Sequence, residues 1–241
     1  MHSTRLPDKV MLNILGKPII WHIYNRLTHC KNLNKIVIAT GDYDQNSQIC
    51  NFAQKNSIPY FIGSEKDLID RLYKTSVHFD ASAIVRITSD CPLVDPQIVD
   101  MMASEYINKK DQYDIVRNYG DVIRTFPHGL DAEIFSHTSL EKMWNEIKSP
   151  ELREWFPLYV KQNPKLFRIL EIKNSTNFSN LRWTVDYPED FEFVKRVYEI
   201  LYDENKIFYL TDIVNLLNKQ PDLKSINSKY VGYHNIDAPK I

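Results

Sequence analysis

The stretch Ile84-Val85-Arg86-Ile87-Thr88-Ser89-Asp90-Cys91-Pro92-Leu93-Val94-Asp95-Pro96 decides how this chain is read. Its first part, from Ala83 to Thr88, is short, rich in β-branched residues and apolar on both faces except for Arg86. That is the pattern of an interior strand of a parallel sheet. The strand runs directly into a polar turn that opens a helix. Ligands in such sheets sit beyond the carboxyl ends of the strands, so Asp90 falls where a substrate or metal is held; the alternative is a turn residue bonding its own backbone. Asp95 precedes Pro96 and the periodic Ile98, Val99 and Met102, so it reads as an N-cap followed by a proline at the first helical position.

Towards the amino terminus the pattern alternates. Residues 1–10 form a polar, basic loop, and Leu12, Ile14 and Leu15 lead into Gly16-Lys17-Pro18. Ile19, Ile20, Ile23, Tyr24 and Leu27 make one helical face. Lys35 to Thr40 is strand-like, followed by an amphipathic helix with Ile49, Phe52 and Ala53 inward. Tyr60 to Gly63 is a further strand, and Leu68, Ile69, Leu72, Tyr73 and Val77 have helical spacing. Strand alternating with helix is the signature of right-handed crossovers in a parallel sheet.

Towards the carboxyl terminus the helix from Pro96 ends near Ile107 and the pattern loosens. Tyr113 to Val116 reads as a strand, and Gly129-Leu130-Asp131-Ala132-Glu133-Ile134-Phe135 alternates cleanly. Period two puts Asp131 and Glu133 on one face, opposite Leu130, Ala132 and Ile134. That carboxylate pair faces a cleft or is the solvated side of an edge strand, and the residues alone favour the edge strand. Helices bearing Leu140, Met143, Trp144 and Ile147, then Trp155, Leu158 and Tyr159, precede a strand from Phe167 to Ile172. Leu181 to Val185 then runs into Asp186-Tyr187-Pro188-Glu189-Asp190 and a helix with Phe191, Val194, Val197, Tyr198 and Leu201 inward. This repeats the grammar of strand, aspartate, proline and helix, so Asp90 and Asp186 project from separate strand ends towards one cleft. A short helix from Asp212 to Asn218 follows. The expectation is one domain over residues 1–241 with an excursion near 113–175.

Composition narrows the function. Across 241 residues, 30 Lys and Arg balance 31 Asp and Glu, which argues against a nucleic-acid surface. Cys30, Cys50 and Cys91 lie far apart with neither metal spacing nor an even framework, as expected in a reduced compartment. No apolar run approaches membrane-spanning length, and the amino terminus lacks a signal-peptide core, so a cytoplasmic location is expected. P-loop and dinucleotide fingerprints are missing. A basic loop with two separated aspartates suits phosphoryl or nucleotidyl transfer. Arg5 and Lys9 would hold triphosphate charge, and Asp90 and Asp186 would bind Mg²⁺, which takes one or two carboxylates plus substrate phosphates.

Ser3-Thr4-Arg5-Leu6-Pro7-Asp8-Lys9 with Leu15-Gly16-Lys17-Pro18 resembles the opening loop of the cytidylyltransferases that activate acidic sugars. That superfamily includes the CMP-sialic acid and CMP-Kdo synthetases, and the likeness is greatest to its spore coat polysaccharide branch. Gly63-Ser64-Glu65 with Asp70-Arg71, the stretch from Val85 to Pro96, Gly129 to Phe135 and Thr184 to Asp190 extend the resemblance in order along nearly the whole chain. It implies a Rossmann-like α/β nucleotidyltransferase fold, a mostly parallel sheet with helices on both faces. It also implies CTP and Mg²⁺ as requirements, and CMP transfer to the anomeric hydroxyl of a sugar acid with release of pyrophosphate in surface-polysaccharide biosynthesis. By position Arg5 and Lys9 resemble triphosphate contacts, Asp90 and Asp186 the metal carboxylates, and Ser3 a nucleotide contact. Arg71 and Arg86 resemble nucleotide-pocket residues, and His128, Asp131 and Glu133 residues that face the sugar. A homodimer is implied on the same ground.

Two departures stand out. The family begins with a buried strand leading into the run whose methionine coincides with Met1, so the expectation is a displaced start or a truncated gene. His2 replaces a glycine of that run, and Trp155 stands where the family carries a histidine. The competing reading is a catalytically inactive homologue serving as a binding or assembly subunit.

Overall fold

A computed structural model describes residues 5–120 and 124–232. The first turn of helix, Lys9–Met11, is followed by a small hairpin of β1 (Asn13–Ile14) and β2 (Lys17–Pro18) and by α1 (Ile19–Leu27). Next come β3 (Ile38–Thr40), α2 (Tyr43–Lys55), β4 (Tyr60–Ile62), α3 (Leu68–His78), β5 (Ala83–Arg86) and α4 (Pro96–Lys109). The second half contributes β6 (Ile115–Arg117), β7 (Glu133–Ser136), α5 (His137–Glu146), α6 (Pro150–Glu154), α7 (Phe156–Gln162) and β8 (Ile169–Glu171). It closes with α8 (Pro188–Leu201), α9 (Leu210–Lys219) and α10 (Asp222–Ser225).

Period-two alternation builds the layers. On β5, β6, β7 and β8 the residues Val85, Val116, Ile134 and Leu170 face a core made with α1, α4, α8 and α9. Their neighbours Ile84, Ile115, Phe135 and Ile169 face a second core made with α3, α5 and α7. The inner strands β6 and β7 thus bury both faces, while β5 and β8 at the two margins are half-buried.

The α/β layering follows the sequence expectation, but the neighbours differ. The four-stranded sheet has the order β5-β7-β6-β8, with β7 antiparallel to both β5 and β6 and only β6 and β8 parallel. It is therefore mixed, with β3 and β4 forming a separate parallel pair. β7 is a central strand, so Glu133 is 2% exposed, and the solvated-edge reading of its carboxylate fails. The polar face of this strand is buried because it points at other charged side chains. β5, expected in the interior, lies at the margin of its sheet, and its residues are only half-buried.

Leu181–Val185 is buried and extended, yet it makes only an isolated bridge from Arg182 to His128. It threads between two loops: Trp183 N–H donates to His128 O at 2.6 Å and Val185 N–H to Asp90 O at 2.8 Å. Gly129, at φ +109°, permits this crossing, since a Cβ there would stand 2.3 Å from the Thr184 nitrogen.

Asp95 caps α4 as its position before Pro96 predicts. One carboxylate oxygen accepts from Gln97 N–H at 2.8 Å and the other from Leu210 N–H at 2.6 Å, tying α4 to the start of α9. Replacing Asp95 with Ala removes both bonds from a buried site and should lower stability by about 2–3 kcal/mol. Urea unfolding followed by circular dichroism would show this as a lowered midpoint at unchanged slope.

Candidate active site

Three segments meet at the carboxyl end of β5. The turn after β5 supplies Asp90, the turn before α8 supplies Asp186, and the first helical turn supplies Lys9. Lys9 Nζ donates to Asp186 Oδ1 at 2.9 Å and to Val185 O at 2.8 Å, and reaches Asp90 Oδ2 at 3.4 Å. Arg5 Nη2 lies 3.9 Å from Asp186 Oδ1, with its guanidinium 5.2 Å from the Tyr187 ring. Tyr187 in turn stacks face to face on Tyr230 at 3.9 Å. The structure therefore brings together Arg5, Lys9, Asp90 and Asp186, which are scattered over the sequence.

The electrostatics of this group are settled by competition. Burial raises the Asp90 pKa, but the Lys9 ammonium, the Thr88 hydroxyl, His128 and Cys91 outweigh it and hold the carboxyl below its ordinary value. Burial likewise opposes the Lys9 charge, and Asp90 and Asp186 reverse that, raising its pKa. One cation bridges two carboxylates.

Behind Asp186 lies a guanidinium that the sequence reading did not single out. Arg182, within the buried run Leu181–Val185, grips Asp190 through Nε and Nη2, both at 2.9 Å, and reaches Asp186 Oδ2 from Nη2 at 2.8 Å. Asn227 Nδ2 donates to Asp190 Oδ1 at 2.9 Å, while Asp190 Oδ2 accepts the N–H groups of Asp186 and Tyr187. Arg182 Nη1 also lies 3.1 Å from His128 Nδ1. The signal was available: a charged residue inside an apolar run, four before an aspartate, needs a buried partner.

On the other flank Arg86 Nη1 donates to Glu133 Oε2. Tyr119 shares Glu133, and burial followed by that carboxylate drives the phenol pKa well up. Arg124 makes a two-pronged pair with Asp131, whose second oxygen lies 3.9 Å from His128 Nε2. Burial first, then the Asp90 and Glu133 charges, raise the Asp131 pKa against the pull of Arg124. His128, Asp131, Glu133 and Arg86 thus form a charged wall continuous with the Asp90 turn. Arg124 and Tyr119 belong to it and were missed, lying in an irregular stretch without periodicity. Arg71 stands further off, donating to Ser64 O at 2.8 Å beside Gly63. Ser3 lies outside the described residues.

No cluster of three or more His, Cys, Asp or Glu capable of holding a metal occurs among the described residues. The Asp90 and Asp186 pair nevertheless fits a hard divalent cation: its donors are carboxylate oxygens, and it already draws the Lys9 ammonium. No described helix is long and apolar enough to cross a membrane.

Strand-end carboxylates beside Arg5 and Lys9, in a layered α/β frame, are the arrangement expected of a nucleotidyltransferase. A family profile described as Cytidylyltransferase matches residues 1–218, and the chain belongs to that family. A cytidylyltransferase structure from Leptospira borgpetersenii superposes with a TM-score of 0.86 at 31% identity, covering 92% of each chain. Spore coat polysaccharide biosynthesis protein SpsF of Bacillus subtilis is 27% identical over 92% of each sequence. The 3-deoxy-manno-octulosonate cytidylyltransferase of Lawsonia intracellularis is 30% identical over 44% of this chain and 42% of its own length.

Two outcomes follow for this cluster. Asp190 is fully buried, so Arg182→Met strands its charge and should cost about 3–5 kcal/mol, measured by chemical denaturation. For Asp90 the folded pKa lies below the ordinary 3.8, so its charge stabilises the fold fully above that value and less as pH falls through the folded value. Lys9→Met removes the largest lowering influence, and carbon NMR titration should show the Asp90 carboxyl moving upward.

Proposed function

We propose that this protein transfers CMP from CTP to the anomeric hydroxyl of an acidic sugar, releasing pyrophosphate, in the synthesis of a surface polysaccharide. The observation that carries the reading is the convergence of Lys9 and Arg5 on Asp90 and Asp186. The family match, together with the chain's likeness to a spore coat polysaccharide biosynthesis protein and to a 3-deoxy-manno-octulosonate cytidylyltransferase, supports the nucleotide and the class of acceptor.

In the reaction the anomeric oxygen forms a bond to the α-phosphorus, and the bond from that phosphorus to the oxygen bridging the β-phosphate breaks. Pyrophosphate carries away the electron pair, and the hydroxyl proton is lost to solvent. A triphosphate has to be neutralised before an oxygen can approach phosphorus. Arg5 and Lys9 supply cations on one side. Asp90 and Asp186 would hold Mg²⁺, which supplies charge neutralisation and orientation when bound. Arg182 fixes the Asp186 carboxylate, and Thr88 donates to Asp90 and fixes that one.

The sugar would lie along His128, Asp131, Glu133 and Arg86. A sugar carboxylate needs a cation, and Arg124, held in reserve by Asp131, is placed to offer one. Arg71, on the far side of Arg86, would serve the nucleotide.

The test supplies purified protein with Mg²⁺, each nucleoside triphosphate in turn and a panel of sugar acids, and follows pyrophosphate. Release is expected with CTP and a sugar acid together. Asp90→Asn and Asp186→Asn should each lower kcat on the order of a hundredfold or more at unchanged secondary structure. No release from any pair with a folded protein would overturn the reading in favour of a catalytically silent binding subunit.

A further inference from the structure

The chain continues past α9, and past the residues that the family profile matches, into a segment that returns to the site. After α10 a single turn of helix, Ser228–Tyr230, is fastened by three residues. Asn227 is 3% exposed, and its Nδ2 donates to Arg182 O and to Asp190 Oδ1, each at 2.9 Å. Lys229 Nζ donates to Glu189 Oε1 at 2.6 Å, and the Tyr230 hydroxyl donates to Glu189 Oε2 at 3.1 Å. The Tyr230 ring lies on the Tyr187 ring with centroids 3.9 Å apart and planes 2° from parallel. All of these anchors fall within residues 182–190, the segment that presents Asp186.

Tyr187 is the neighbour of Asp186, and its ring also receives cations. The guanidinium carbon of Arg5 stands 5.2 Å from its centroid and that of Arg182 5.8 Å. Arg5 meets Asp186 at 3.9 Å, beyond a hydrogen bond, so the ring is a second surface that sets where this guanidinium lies. A guanidinium can lie against a ring and still offer its planar N–H fork to phosphate oxygens. Left to itself a half-buried tyrosine ring turns about its side-chain bonds, and a parallel neighbour at van der Waals distance takes that freedom away.

We propose that Tyr230 is a positioning residue of the active site: by clamping Tyr187 it sets Arg5 for the triphosphate, and residues 227–230 thereby belong to the machinery that binds the nucleotide. The inference rests on the reading of Arg5 as a triphosphate contact. Without the clamp, Tyr187 and Arg5 sample orientations that miss the ligand, so binding weakens rather than disappears. A tenfold loss, about 1.4 kcal/mol, lies within what an aromatic pair and a cation–π contact supply together.

The test measures binding of inorganic tripolyphosphate with Mg²⁺ by isothermal titration calorimetry, at a temperature where circular dichroism shows each variant folded. Tyr230→Leu should weaken binding about tenfold. Tyr230→Phe, which keeps the ring and loses the hydroxyl, should restore most of the affinity. In an Arg5→Gln background Tyr230→Leu should cost nothing further, since both act through one contact. A lowered thermal midpoint with unchanged affinity in Tyr230→Leu would assign a structural role alone and overturn the inference, as would a loss of equal size with and without Arg5. Should Tyr230→Leu not fold, Tyr187→Leu decides: it breaks the relay at its middle member, a tenfold loss is expected, and unchanged affinity overturns the inference. No binding by the unaltered protein would overturn the reading of the triphosphate site and this inference with it, whereas binding that Tyr230→Leu leaves intact overturns this inference only.

Discussion

The Arg182 guanidinium, sealed beneath Asp186 and Asp190, is the interaction on which the architecture of the site depends. A fully buried carboxylate survives only if its charge is matched and its lone pairs are used, and Asp190 meets both conditions through Arg182, Asn227 and two backbone N–H groups. Those N–H groups belong to Asp186 and Tyr187, so the contact that neutralises Asp190 also fixes the turn that presents Asp186. Arg182 sits on the segment threaded between the Asp90 turn and the His128 loop, so both flanks of the site are referred to it.

Charge in the site is arranged in alternating pairs: Lys9 with Asp90 and Asp186, Arg86 with Glu133, Arg124 with Asp131. Each pair is partly shielded from water, where Coulombic terms are stronger and unmatched charges more costly. At rest the site is therefore close to self-neutralised, and under the proposed reaction a polyanionic ligand would exchange partners with these pairs rather than enter a naked field.

Much of this was legible in the sequence because it rests on local rules. The alternation in β5 to β8 follows from period-two patterning, and the cap at Asp95 and the helix opening at Pro188 from the chemistry of helix starts. The repeated aspartate and proline grammar pointed at Asp90 and Asp186 because each aspartate follows an apolar run and precedes a helix that opens on a proline, Pro96 in one case and Pro188 in the other. Sheet order was not legible. Nothing in Gly129 to Phe135 announces that β7 runs between β5 and β6, since an amphipathic strand and a strand with buried ion pairs have the same pattern. Arg182 and Arg124 were missed for a related reason: their partners lie outside the local window, and only tertiary structure names Asp190 and Asp131. Arg86, equally anomalous in an apolar run, was noticed because a motif surrounded it.

Gly129 has a consequence for redesign. Where a bare α-carbon lets one backbone cross another with no space to spare, any side chain would push the His128 loop off the Leu181–Val185 segment and displace the two flanks simultaneously. Redesign of this site therefore has to leave that crossing untouched and begin with Tyr119 and Arg124, whose side chains border the wall without holding the frame together.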